Sequence, residues 1–151
     1  MILFDFEYER PETIEQAVAL LGAEAGSKLL AGGTDLLPNM RIEVVKPSHL
    51  VSLAGLAPAE PEVLPEGGLR IDALTRLASL ESHDLIQSQA PLLAAAAHSV
   101  GGNQVRQMGT LGGNLCQETR CLYYNQQHDY QFVADCYKRG GECCYPFPGN
   151  A

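Results

Sequence analysis

Two glycine pairs, Gly32-Gly33 and Gly112-Gly113, constrain what this chain can fold into more than any other feature of its sequence. The first pair follows the short apolar run 28–31 and precedes Thr34-Asp35, and the second lies within residues 110–114. A strand that ends in two glycines lets a ligand approach the backbone closely, and the following N–H groups can donate to a phosphate. Neither pair forms a dinucleotide fingerprint or a Walker loop. The pattern alone is therefore compatible with a phosphate-bearing cofactor and with plain strand-to-helix turns.

Helix and strand patterns alternate around the first pair. Residues 10–22 carry apolar side chains at helical spacing, and residues 28–31 and 49–53 are apolar runs that predict buried strands. This alternation is typical of a small parallel α/β unit. The proline-rich stretch 54–68 predicts a boundary between lobes, and a further helix is predicted over residues 92–100.

Charge and composition exclude several classes of partner. The net charge is −8, whereas a nucleic-acid partner requires a basic surface. The first residues lack the basic region of a signal peptide, and the longest apolar run, residues 91–97, is too short to cross a bilayer. We therefore expect a cytoplasmic protein without a nucleic-acid or membrane partner. Backbone N–H groups, rather than a basic cluster, would hold any phosphate.

All five cysteines lie at or beyond residue 116, directly after the second glycine pair. Clustered thiols in a reducing compartment bind metal or do redox chemistry more often than they form disulfides. Only Cys116 and Cys121 have the spacing of a zinc-binding pair, whereas an iron–sulfur cluster tolerates the wider spacing of Cys136, Cys143 and Cys144. Three interpretations stay open at this point: an iron–sulfur centre, a zinc site and a set of unrelated thiols.

The two glycine segments, Ala-Gly-Gly-Thr-Asp at 31–35 and Thr-Leu-Gly-Gly-Asn at 110–114, resemble the paired FAD-binding motifs of one family. This family is the flavoprotein subunits of molybdenum hydroxylases, which include xanthine dehydrogenase and carbon monoxide dehydrogenase. The resemblance implies an α+β, two-lobed FAD-binding fold of the PCMH type with an α/β-like N-terminal lobe. A small three-stranded parallel sheet with helices would precede a larger mixed-sheet lobe. Because the family's subunits are longer, we expect the chain to be a truncated N-terminal fragment.

The implied domains are a first FAD-binding lobe at 1–55, a second at 56–115 and a cysteine-rich iron–sulfur loop at 116–151. The resemblance also implies residues that contact FAD. They are Leu29, Leu30, Ala31, Gly32, Gly33, Thr34, Asp35, Leu36, Gly101, Thr110, Leu111, Gly112, Gly113, Asn114 and Tyr123.

The tail is similar to the insertion loop of the 4-hydroxybenzoyl-CoA reductase branch of the family. The residues that carry this similarity are Asn114-Leu115-Cys116, Thr119-Arg120-Cys121, Tyr123-Tyr124-Asn125-Gln126, Cys136 and Cys144. In that branch the loop holds an additional [4Fe–4S] cluster. Carried over residue by residue, the resemblance implies Cys121, Cys136 and Cys144 as cluster ligands, with a fourth ligand expected beyond Ala151.

The resemblance further implies an oxidoreductase subunit that carries no catalytic residue, since the substrate chemistry would lie on another polypeptide. Electrons would pass from a ferredoxin-like donor through the [4Fe–4S] cluster and FAD. They would then reach the [2Fe–2S] clusters of a small subunit and the molybdopterin site of a large subunit, in a heterotrimer or its dimer. Two alternatives stay open. One is the flavin subunit of an oxidative enzyme of the xanthine or CO dehydrogenase kind or of an aromatic hydroxylase; the other is a small zinc-binding or assembly module on Cys116, Cys121, Cys136 and Cys144.

Overall fold

A three-stranded parallel sheet forms the first lobe of the computed structural model, which describes residues 3–126, 132–147 and 149. The strands are β1 (Glu7–Glu9), β2 (Lys28–Leu30) and β3 (His49–Ser52), in the order β1-β3-β2. Helix α1 (Ile14–Ala23) connects β1 to β2, and helix α2 (Leu36–Arg41) connects β2 to β3. Strand β3 is buried along its length because it pairs on both sides and packs against α1. The predicted parallel α/β unit is thereby confirmed.

Helix α1 begins at Ile14 rather than at Arg10, where the apolar spacing of residues 10–22 places its start. The reason is Thr13, whose hydroxyl accepts a hydrogen bond from the N–H of Gln16 at 3.2 Å. Such a cap satisfies one of the N–H groups that the first turn leaves without a partner and contributes about 1 kcal/mol. Arg10 lies before the helix and donates to the carbonyl of Ala54 at 2.9 Å.

The second lobe follows the 3-10 turn Leu53–Gly55 and combines a two-stranded antiparallel sheet with a run of short helices. In the described residues these elements are β4 (Glu62–Val63), β5 (Leu69–Arg70), α3 (Leu77–Ser82), α4 (Asp84–Gln89), α5 (Pro91–Ser99), α6 (Asn103–Met108) and α7 (Leu111–Leu115). Leu80 and Ile86 are fully buried at the centre of their shared core. Helix α5 confirms the predicted helix at 92–100, with Pro91 in its first turn.

Residues 116–126 and 132–147 form the cysteine segment. Its described part contains one short regular element, the 3-10 turn Tyr137–Arg139. Aromatic contacts connect its two halves, because the rings of Tyr123 and Tyr145 stack with their centroids 5.2 Å apart. The Tyr124 ring contacts the cations of that turn, which lie 4.8 and 4.9 Å from its centroid. Residues 127–131, 148, 150 and 151 of the predicted domain 116–151 lie outside the described residues.

A membrane-spanning helix was not expected from the hydropathy of the sequence. Among the helices of the described residues, none has the length and apolar character that crossing a bilayer requires.

Candidate functional site

The two glycine loops, residues 31–36 and 109–114, meet in space between the lobes. A Cβ atom added at Gly32 would overlap the carbonyl oxygen of Met108, so the close approach of the two loops requires glycine there. A Cβ atom at Gly109 would lie 3.4 Å from the hydroxyl oxygen of Thr34. The structure therefore brings the two predicted motifs together, as a shared ligand site requires.

The second loop is held in place by its own backbone donors. The N–H groups of residues 111–114 all have acceptors within the protein. The first two donate to the carbonyls of Thr75 and Ala73 at 2.8 and 2.7 Å, and the other two donate to the hydroxyl and carbonyl of Thr110 at 3.1 and 2.9 Å. Because these four groups are already satisfied, none of them is free to donate to a ligand.

The first loop has the opposite arrangement. The N–H groups of residues 32–35 have no acceptor in the part of the chain that the structure describes. Gly33 adopts a φ of 72°, in the left-handed region that favours glycine. Successive N–H groups around a left-handed residue form the concave donor set that binds anions, and phosphate groups above all. This loop can therefore donate several hydrogen bonds to a phosphate or diphosphate.

A cavity of about 550 Å³ lies over the two loops, within the usual range for cofactor sites. Most of the predicted FAD contacts line it, namely Leu29, Ala31, Gly32, Gly33, Thr34, Asp35, Leu36, Thr110, Gly112 and Gly113. Five other predicted contacts are described but do not line it: Leu30, Gly101, Leu111, Asn114 and Tyr123. The cavity thus collects both motifs but does not extend to Gly101 or to the tyrosine of the cysteine segment.

Several lining residues were not predicted from the sequence. Lys28 and Asn39 are polar examples from the first lobe, and Gln117 and Glu118 come from the cysteine segment. Lys28 is exposed and has no ion-pair partner among the described residues, so its positive charge is available to an anion. Its position at the start of β2, three residues ahead of the glycine loop, was the available clue. Its place before the glycines excludes a Walker loop, but it does not exclude a contact across the cavity.

An ion pair joins the first loop to the cysteine segment. Nη2 and Nε of Arg120 donate to Oδ1 of Asp35 at 2.9 and 3.2 Å, and Nη2 also reaches the carbonyl of Thr34 at 3.4 Å. The second carboxylate oxygen of Asp35 accepts from the side-chain amide of Asn39 at 3.2 Å. Both carboxylate oxygens of Asp35 therefore have a partner. The ion pair with Arg120 could not be predicted from a sequence pattern, because the two residues are far apart in the chain.

The predicted cluster ligands Cys121, Cys136 and Cys144 all lie in the described residues. Across the described ranges, however, no group of three His, Cys, Asp or Glu side chains is arranged to hold a metal ion. Cys136 is buried, and Cys121 and Cys144 are half-buried. Cys116 is exposed and lines the cavity instead. The arrangement gives no support to the [4Fe–4S] cluster, and the ligand assignment stays a prediction.

The phenol of Tyr145 lies near the thiols of Cys143 and Cys136. Partial burial, together with the neighbouring Cys143 and Cys136, raises the pKa of its phenol, and Cys143 is also its hydrogen-bond partner. The N–H of Tyr137 donates to the carbonyl of Cys143 at 2.8 Å, which holds the backbone next to Cys136 against Cys143.

Comparison with known proteins agrees with this geometry. Residues 4–125 match the family described as the FAD binding domain in molybdopterin dehydrogenase. The FAD-binding subunit of an aldehyde oxidoreductase from Escherichia coli is 39% identical over 119 residues, which cover 79% of this chain and 37% of the relative. The medium chain of carbon monoxide dehydrogenase from Hydrogenophaga pseudoflava is 42% identical over 113 residues, covering 73% of this chain and 39% of the relative. This chain thus spans about two-fifths of the length of these relatives.

Solved structures give the same result for the fold. Carbon monoxide dehydrogenase from Hydrogenophaga pseudoflava superposes with a TM-score of 0.68 at 38% identity, over 76% of this chain and 40% of that chain. Quinoline 2-oxidoreductase from Pseudomonas putida superposes with a TM-score of 0.67 at 25% identity and the same coverage. The predicted α+β fold is confirmed, and the chain belongs to the family of FAD-binding domains found in molybdopterin dehydrogenases.

Proposed function

We propose that this chain binds FAD in the cavity over its two glycine loops and acts as the flavin-carrying part of a molybdenum-containing oxidoreductase. The observation that carries the proposal is the set of unpartnered N–H groups at residues 32–35. Gly32 and Gly33 fit the group as well, because a side chain at either position would fill or distort the loop. The family match over residues 4–125 supports FAD as the ligand.

FAD, when bound, supplies the electron-transfer chemistry, and the protein supplies position and charge. The N–H groups of residues 32–35 would donate to the diphosphate, and Lys28 would attract it across the cavity. Thr110 and Gly112 would form the opposite wall of the cavity, where the N–H of Gly112 already donates to the carbonyl of Ala73. No residue of this chain is proposed to act on an organic substrate.

The partners proposed for this chain are a large molybdopterin-binding subunit and a small [2Fe–2S] subunit, in a cytoplasmic heterotrimer or its dimer. The names of the relatives support this part, because they describe FAD-binding subunits and medium chains of larger dehydrogenases. The same names favour oxidation of a substrate such as an aldehyde, a purine or carbon monoxide. A flavin subunit working in the oxidative direction is therefore the candidate that these relatives favour.

The reductive alternative resembles 4-hydroxybenzoyl-CoA reductase, with a ferredoxin-like donor and a [4Fe–4S] cluster on Cys121, Cys136 and Cys144. It rests on the resemblance of the cysteine segment alone. The family match ends at residue 125, before two of these three cysteines. We therefore derive no electron path through a cluster.

Anaerobic purification of the chain, followed by FAD titration and metal analysis, tests these proposals. Saturable quenching of flavin fluorescence is expected, together with iron-free protein if the oxidative candidate holds. About four irons per chain would favour the reductive candidate instead. A zinc-containing chain that does not bind FAD would overturn both.

A further inference from the structure

We propose that Arg120, in the cysteine segment, is a positioning residue that keeps the first glycine loop able to accept a diphosphate. The inference rests on the proposed function, because it concerns how that loop binds FAD. Arg120 reaches the loop through two nitrogens on Oδ1 of Asp35, at 2.9 and 3.2 Å, and through a contact with the carbonyl of Thr34 at 3.4 Å.

Arg120 acts on the first loop through its charge. Asp35 belongs to the same loop as the free N–H groups and lines the same cavity. Its side chain is only 21% exposed, so an uncompensated carboxylate there would be poorly screened by water and would repel a diphosphate. The Arg120 guanidinium cancels this charge at contact distance. The loop can then present its donors to an anion without an uncompensated carboxylate of its own beside them.

Arg120 also fixes the geometry of a peptide group in the loop. A trans peptide is planar, and its C=O and N–H point in opposite directions. When Arg120 holds the carbonyl of Thr34, it also fixes the direction of the N–H of Asp35, which belongs to the same peptide and has no acceptor among the described residues. Asn39 holds the other carboxylate oxygen of Asp35 at 3.2 Å, so the side chain cannot swing toward the cavity without losing a partner.

Arg120 is itself fixed by the segment that carries it. Nζ of Lys138 donates to the hydroxyl of Thr119, the residue before Arg120, and lies 3.7 Å from the carboxylate of Glu118. Tyr124 packs against the cations of the Tyr137–Arg139 turn. The cysteine segment therefore acts on the flavin loop through one side chain, whether or not it holds a metal.

The test compares FAD dissociation constants, measured by flavin fluorescence quenching on the whole chain, for a small set of variants. Arg120→Gln should weaken binding roughly tenfold at low ionic strength, because the Asp35 charge is then exposed to the diphosphate. The dissociation constant of Arg120→Lys should lie between those of the wild type and Arg120→Gln, since lysine keeps the charge but loses the two-nitrogen contact. Arg70→Gln is the control, because Arg70 is about as exposed as Arg120 and forms an ion pair with Glu62 in the second lobe, away from the cavity.

Two further readouts separate this role from a purely structural one. In the double variant Arg120→Gln/Asp35→Asn, most of the lost affinity should return, because the repelling charge is gone. The ratio between wild-type and Arg120→Gln affinities should also shrink as salt is raised. Saturable FAD binding by the wild type with an unchanged constant for Arg120→Gln would overturn this inference alone. So would a double variant as weak as the single one. Absence of saturable binding in the wild type would instead overturn the proposed function.

Discussion

The first glycine loop has free N–H donors at residues 32–35, whereas the second loop has bonded all of its own donors at residues 111–114. Their sequences look alike, and both line the same cavity. The difference comes from the acceptors around the second loop. Ala73 and Thr75 present their carbonyls to two of its N–H groups, and Thr110 accepts from the other two. A glycine pair can thus serve a ligand or serve the fold, and the acceptors around it decide which.

This contrast assigns the loops different tasks in binding FAD. The first loop would recognise the diphosphate, and the second would provide a rigid wall that the first loop touches at Met108 and Gly109. Variants in the first loop should therefore weaken FAD binding more than they lower stability. Variants in the second loop should do the reverse.

The largest effect is expected from Gly32→Ala. The added Cβ would overlap the carbonyl of Met108, so the loops must separate and the donor set loses its shape. Flavin fluorescence titration should show FAD binding weakened by about 2 kcal/mol, roughly thirtyfold. The matched control is Gly22→Ala in α1, where an added Cβ meets nothing within 4 Å and affinity should not change. Equal affinities for both variants would contradict the assigned role of the first loop.

Gly33→Ala should have the next largest effect. Its φ of 72° is a conformation that costs an alanine about 1–2 kcal/mol, and the new Cβ would lie 2.9 Å from a methyl carbon of Leu37. We expect the midpoint of thermal unfolding to fall and FAD affinity to drop about tenfold. A variant that loses stability but keeps full affinity would show that the left-handed turn does not shape the donor set.

The sequence predicted the parts of this site that depend on local chemistry. The apolar runs before Gly32 and around Leu50 predicted two buried strands, and both are strands. Only the central strand β3 is buried, because it is covered on both faces. The prediction of burial is wrong for β2, an edge strand whose Lys28 and Leu29 are exposed. The free and bonded states of the two loops could not be predicted, since glycine permits both and two of the four acceptors, the carbonyls of Ala73 and Thr75, come from residues far away in the sequence. The ion pair between Asp35 and Arg120 was hidden for the same reason.

The cysteine segment is a region whose arrangement could not be predicted from the sequence. The spacing of Cys121, Cys136 and Cys144 was informative only through its similarity to one branch of the family. The spacing of cysteines along the sequence does not determine where their thiols lie in a segment that is ordered by aromatic packing. Here Tyr145 lies beside Cys143 and Cys136, and the described residues contain no three-residue metal group.

A smaller effect is expected from Thr110→Ala in the second loop. The variant removes the hydroxyl that accepts from the N–H of Gly113 at 3.1 Å and caps α7. Loss of such a cap costs about 1 kcal/mol, which chemical denaturation of the ligand-free chain would detect. FAD affinity should change by less than about threefold, since the loop's donors are not proposed to contact the ligand. A larger loss of affinity than in Gly33→Ala would erase the contrast between the loops.

The smallest effect is expected from Lys28→Gln. Lys28 lines the cavity on the side of the first loop, and no ion pair among the described residues uses its charge. An exposed charge contributes at most about 1 kcal/mol to an interaction with a nearby anion, so FAD affinity should fall by roughly threefold. Raising the ionic strength to about 1 M should greatly reduce this difference, because the screening length between exposed charges falls from about 10 Å at 0.1 M to about 3 Å at 1 M. The difference should persist in a Thr110→Ala background if the two loops act independently, since effects at separate sites add. If the effect of Lys28→Gln on FAD affinity changes in the Thr110→Ala background, the second loop also sets the position of the ligand.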